Sequence, residues 1–387
     1  LLFLLGSYLL IHSLVIAPKR LREKRKQKHQ QRGMDALTES FIALASDETA
    51  TAKRMLKKAD TLLEAPAITL LLSAQLAKLQ GDEARTRQLL QKMLQRKETA
   101  FLAARNLLEH ARSQDAAEEA LTYARRAVEL RPKDPYSVRG LIDALLRTHH
   151  WQEALQLAEK SKRRRILKAE EAHRIQAILY YNEGKRIYAE GDRTSALRFL
   201  QKACKLQPAL VPAAQLYATL LHSVGKKKDS IRTLRNCWKL SPHPDLIVTL
   251  QELYPDDTPE KWEKRIEKFV QSNPEHTESL LARAQAALSA RAWQAARNHL
   301  KILLSREETV RLCKHMAELE KGESGNEAKA SDWLLRASSA DPDPAWVCTS
   351  CSHVAENWES HCPHCFHFDT LHWTPRSLIL AKDEKED

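Results

Sequence analysis

Hydrophobic and polar positions divide the chain into three regimes. Residues 1–17, LLFLLGSYLLIHSLVIA, contain no charge and are followed after Pro18 by the basic run KRLREKRKQKHQQR. From Gly33 to about Ala340 apolar residues recur at the three-to-four spacing of amphipathic helices, with small residues at intervals. A short last regime, Trp346 to Trp373, loses that period and is dense in Cys, His and Trp.

The middle regime is a repeat. The segments 118–132, 194–208 and 228–242 superimpose without gaps, each placing a small residue (Ala120, Ala196, Ser230) four before an apolar one (Ala124, Leu200, Leu234). A small or polarisable residue follows three later (Ala127, Ala203, Cys237), and Pro132, Pro208 or Pro242 ends the run. Pro208 and Pro242 are 34 residues apart, and Ala154 lies 34 after Ala120. Eight extra residues, placed in the basic stretch KRRRILKAEE, account for the longer gap before Pro208. Small residues let two helices approach and proline stops the second, so a 34-residue period predicts tetratricopeptide hairpins. The expected fold is all-α, a tetratricopeptide right-handed superhelix, with an N-terminal transmembrane helix and a small C-terminal rubredoxin-like or zinc-ribbon module.

The expected layout is a transmembrane helix over 1–17, a basic juxtamembrane segment over 18–32 and an array of about eight hairpins over 33–342. A metal knuckle over 343–375 and a charged tail over 376–387 complete it. The segment 320–329, EKGESGNEAK, reads as a loop inside the last hairpin because of its two glycines.

Seventeen helical residues rise about 25 Å, slightly short of a hydrocarbon core of about 30 Å. With no initiator Met present, the span is expected to continue upstream. The cations come after the apolar run, the reverse of a signal peptide, and place the chain beyond Pro18 in the cytoplasm. Eight Lys/Arg against Glu23 give this run +7 of the chain's formal +12, leaving +5 elsewhere. That remainder demands no nucleic-acid partner. The array contains no Gly-rich phosphate loop, no H-E-x-x-H and no nucleophile elbow, so no catalytic residue is expected. His149 and His150 read as turn residues, Trp238, Trp262 and Trp293 as core, and Cys204, Cys237 and Cys313 as small hydrophobes.

Chemistry concentrates in the last regime. Cys348 and Cys351 form one C-x-x-C pair, Cys362 and Cys365 another, with ten residues between them. Two such turns facing each other make a four-sulfur cage suited to structural zinc, with iron as the minor alternative. So short a ribbon cannot bury enough apolar surface to fold alone, so metal would supply most of its folding energy. Ser352 and Phe366 follow the second Cys of each pair, where an iron knuckle usually places Gly for a left-handed turn, and this weighs against rubredoxin-type geometry. A redox dithiol at Cys362-Pro363-His364-Cys365 would need a helix starting within it. Non-covalent haem on Cys362, with His361, His364 or His367, is a further alternative. These three histidines and His353 read as surface residues or spare ligands. Trp346, Trp358 and Trp373 are expected to cover the metal core and dock it, as a cap, on the last helices.

Together these parts resemble the HemY family of membrane-anchored tetratricopeptide proteins of proteobacteria. The likeness is clearest in RGMDALTESFIALASDETATAKRMLKKA (32–59) and in the final WVCTSCSHVAENWESHCPHCFHFDTLHWTP, similar to the tail of alphaproteobacterial members. The resemblance implies a bacterial inner-membrane scaffold with its array in the cytoplasm and a further span upstream. It also implies partner proteins in late haem biosynthesis and no catalytic residues. A second resemblance is to LapB-type lipopolysaccharide-assembly adaptors, which share the order of parts and present a substrate to a membrane protease.

Overall fold

The structure, a computed structural model, describes residues 23–63 and 67–374, with the helical backbone of the first helix followed from Leu2. Among the described residues eighteen α-helices precede a three-stranded sheet. The side chains of the expected span over 1–17 and of residues 18–22 of the basic segment, and the whole of the charged tail, lie outside the described residues. No helix among those described is long and apolar enough to cross a membrane.

The chain divides into two compact units, Leu1–Ala144 and Leu145–Asp387. The first contains α1 (Leu2–Ala45), α2 (Thr49–Leu62), α3 (Ala67–Leu79), α4 (Glu83–Leu94), α5 (Ala100–Ser113), α6 (Ala117–Leu130) and most of α7 (Pro135–Arg147). Its first core joins Ala36 and Leu37 of α1 to Ala52, Leu56 and Ala59 of α2 and to Leu72 and Leu76 of α3. The basic residues of α1 from Glu23 to Arg32 lie exposed ahead of that core. Between α5 and α7, Arg112 pairs with Asp143 at 2.6 Å with both side chains buried.

The second unit continues with α8 (Trp151–Arg163), α9 (Ala169–Ala189), α10 (Arg193–Leu206), α11 (Val211–Ser223), α12 (Lys227–Leu240), α13 (Pro244–Leu253) and α14 (Pro259–Phe269). It ends with α15 (Thr277–Ser289), α16 (Trp293–Leu304), α17 (Val310–Ser324) and α18 (Glu327–Ala337). The repeat explains the packing. Ala196, Leu200, Ala203, Ser230, Leu234 and Cys237 are all fully buried, as are Ala124 and Ala127 in the first unit. Such positions let paired helices sit close, and Ser230 makes the approach polar-satisfied by donating to the Ala218 carbonyl at 2.7 Å.

The eight extra residues lengthen a helix. α9 runs 21 residues where α7, α8 and α11 run 13, so its first two turns are additional surface. The 320–329 segment also differs from expectation. α17 continues through Ser324, and only Gly325, at φ +63, ends it in a left-handed cap before Asn326 caps α18. Gly322 sits within this helix, and glycine is needed there because a Cβ would lie 2.5 Å from the Trp293 ring. Gly322→Ala is therefore expected to lower stability by about 1–3 kcal/mol, reversing the usual helix gain of about 1 kcal/mol. Thermal unfolding of the two proteins checks this. Trp238 is buried against Phe269, with centroids 5.3 Å apart, while Trp262 and Trp293 are partly buried in neighbouring clusters.

Candidate metal centre and its docking surface

Past α18 the chain doubles back. The Asp341 N–H donates to the Glu308 carbonyl, Val310 donates to Asp341, and the Asp343 carboxylate accepts from the Arg311 N–H at 3.1–3.2 Å. Asp343 thus satisfies an open amide at the start of α17 and turns the chain inward. The antiparallel sheet comes next, in the order β2-β1-β3, with β1 (Ala345–Cys348), β2 (Val354–Ala355) and β3 (Leu371–Thr374).

Two knuckles of one design carry the cysteines. In the first, the Ser352 N–H donates to the Cys348 carbonyl at 3.0 Å and the Cys348 N–H to the His353 carbonyl at 2.9 Å. In the second, Phe366 donates to Cys362 at 2.9 Å and Cys362 to His367 at 3.0 Å. The amides of Ser350 and His364 point at the sulfurs of Cys348 and Cys362, each at 3.4 Å. Ser352 (φ 57) and Phe366 (φ 58) both take the left-handed conformation. The turn is therefore made without glycine, and the identity of these two residues no longer weighs against rubredoxin-type geometry. The strain, of order 1–3 kcal/mol at each residue, must be offset by the surrounding bonds.

All four sulfurs lie within 4.8 Å of one another. Cys348 Sγ and Cys365 Sγ are 3.6 Å apart, and Cys351 Sγ and Cys362 Sγ 3.7 Å. A tetrahedral ion with bonds of about 2.3 Å sets its sulfurs about 3.8 Å apart, whereas a disulfide would need about 2.0 Å. The donor set therefore fits a four-coordinate thiophilic cation. Burial opposes the thiolate at Cys348, but Thr370 and the amides of Ser350 and Cys351 outweigh it and bring the thiol down to about 6. Burial, with the neighbouring sulfurs, pushes Cys351 and Cys365 up. A divalent cation would relieve that conflict by stabilising every thiolate together.

The histidines stand outside the cage. His353 stacks on His364 with centroids 5.4 Å apart, and His361 packs on Phe368. Cys362 is wholly buried with its sulfur turned to Cys351, which leaves haem no approach to it. Cys362-Pro363-His364-Cys365 forms a turn, not the start of a helix, so the redox dithiol reading lacks its helix.

The module does not cap the last helices. Trp346, Cys348, Ala355, Trp358, Cys362 and Leu371 share one core with residues of α9, α10 and α11, among them Ile178, Tyr181, Leu200 and Ala213. Trp358 and Tyr181 make a T-shaped pair with ring centroids 5.7 Å apart, and Arg147 lies over the Phe366 ring at 5.3 Å. Arg174, in the added turns of α9, grips Asp369 with two bonds of 2.6 and 2.7 Å. His243 stacks on Trp346 at 5.0 Å and meets Trp373 at 4.1 Å. The cause of the difference is the reversal at Asp343, which sends the ribbon back along the first helices of the hairpins.

His243 is 1% exposed, and its Nδ1 accepts from the Asp245 N–H that begins α13. Its Nε2 is buried and makes no hydrogen bond among the described residues. Burial, then the nearby Arg311 charge, lowers its pKa to about 4. The folded value lies below the unfolded one, so the contribution is complete above about pH 6.5 and is lost as pH falls toward 4. Its full size is about 3 kcal/mol. His243→Asn keeps an acceptor for Asp245 but cannot take the proton, and should flatten this part of a stability–pH curve measured by urea unfolding.

Residues 1–81 match the family model described as HemY protein N-terminus. These 81 residues are similar to the N-termini of HemY proteins. The resemblance seen in 32–59 thus lies inside the matched segment. Over 194 residues the chain is 30% identical to the probable magnetosome protein Mms48 of Magnetospirillum gryphiswaldense. That alignment covers 50% of this chain and 43% of the relative, so the chain spans less than half of that protein's length. Among solved structures, a chain of Naa15/Naa10 bound to HypK-THB aligns with TM-score 0.42 and 15% identity, covering 84% of this chain and 60% of that one. MamA protein aligns with TM-score 0.26 and 12% identity, covering 58% of this chain and 94% of that one. Beyond the segment that matches this family model, the chain is a helical-hairpin protein bearing a four-cysteine module.

Proposed function

We propose that this protein is an inner-membrane-anchored scaffold whose helical array, on the cytoplasmic side, assembles partner proteins of haem biosynthesis. The observation that carries the reading is the N-terminal segment similar to HemY proteins, joined directly to the array. The span, the basic run and the array have separate tasks here: anchoring, setting topology, and offering extended surface for protein partners. Chemistry belongs to the partners.

The four cysteines, Cys348, Cys351, Cys362 and Cys365, are proposed as ligands of one structural zinc ion. Zinc imposes tetrahedral closure and has no redox chemistry to satisfy, which suits a module packed as a wedge. Ferric iron in the same cage would be red and bleach on reduction, so colour separates the two.

Crosslinking and affinity recovery from native membranes test the function. Recovery of haem-pathway enzymes supports the reading. Recovery of a membrane protease with a lipid A enzyme instead would overturn it in favour of the LapB-type adaptor, whose glycine-type knuckle turns this module also achieves.

A further inference from the structure

The face that holds the module has a chemistry that can be read from its occupant. Arg174 takes a carboxylate through two guanidinium nitrogens, and Arg147 lies over an aromatic ring. Tyr181 makes a T-shaped contact with one indole, and His243 meets two indoles. Two guanidiniums and two ring platforms along α7, α9 and α13 thus meet one acid and four aromatic rings from the module. Successive first helices of hairpins form the wall on which helical-repeat arrays take up protein segments. Here that wall is filled in cis.

We propose that the module is a metal-held plug over a docking surface for an acidic protein segment rich in aromatic residues. A partner must present a carboxylate to Arg174 and rings to Tyr181 and His243, the groups that Asp369, Trp358, Trp346 and Trp373 now supply. Metal stabilises the module as a compact body that competes for the wall. Without metal the ribbon lacks a core of its own, so the wall is vacated. The plug rests on the metal reading of the cysteines, and the experiment separates the two.

His243 reports the plug because two rings of the module cover it. The full chain is purified with its metal, quantified by elemental analysis, and compared after chelation under reducing conditions. Diethylpyrocarbonate labelling is mapped by mass spectrometry, with helical circular dichroism recorded on the same samples. His243 labelling is expected to rise about ten-fold on metal removal with helicity retained, since local opening then exposes it. Arg174→Glu should raise the labelling with the metal still bound. A fluorescein-labelled peptide of residues 366–374, FHFDTLHWT, should bind the metal-free chain and be excluded by the metal-bound one. Absence of metal from the purified chain would sink the metal reading. Metal present, but His243 equally protected after its removal and in Arg174→Glu, would sink the plug. A peptide that ignores the metal-free chain, or binds both forms equally, would overturn the docking surface.

Discussion

Replacing Cys362 and Cys365 together with serine is expected to abolish metal binding and unfold residues 343–374 while the helices stay folded. An apparent binding energy of about 10–16 kcal/mol is typical of structural zinc in small domains, comparable with the entire stability of an ordinary domain. The module has only three short strands and a shared core, so nothing of that size replaces the ion. The hairpins bury small and apolar positions of their own, among them Leu234, Cys237 and Leu300 outside the core shared with the module, and are expected to stay folded without it. Limited proteolysis should therefore show new cleavage confined to the module, with circular dichroism nearly unchanged. Protection of the module equal to wild type in a metal-free variant would contradict this.

Trp358→Ala should have the next largest effect and should separate docking from metal binding. The indole is 8% exposed, lies in the core shared with α9–α11 and makes a T-shaped pair with Tyr181, centroids 5.7 Å apart. Truncating a buried Trp costs about 3–5 kcal/mol, including the loss of one aromatic pair. All four sulfur ligands remain, so the metal should stay at wild-type content while amide exchange in the module and the first turns of α9 rises. Loss of metal alongside docking would mean that the knuckles cannot hold their ion without the wall.

The range of the forces involved decides how much of this was legible in the sequence. The hairpins were legible because steric demand repeats. Ala196, Leu200 and Ala203 face the same crossing as Ser230, Leu234 and Cys237, and the same spacing recurs. The cage was legible because two C-x-x-C turns are local, and their sulfurs meet as expected. The resting place of the module was not. Arg174 and Asp369 are 195 residues apart, and no periodicity links them. The nearest signal was the eight-residue excess before Pro208, which had no apparent use until α9 proved to be lengthened by two turns. Asp341 and Asp343, on either side of the expected boundary between array and knuckle, carried the other half as partners for the start of α17. Gly322 misled for a related reason. A glycine required by the ring of Trp293 looks, in one dimension, like a glycine of a loop.

X-ray absorption at the metal edge of the purified full chain tests the central claim most directly. One zinc per chain with four sulfurs at about 2.3 Å, and no nitrogen from the four neighbouring histidines, is the result expected. Absence of metal, or a site in which histidine replaces any of Cys348, Cys351, Cys362 and Cys365, would contradict it.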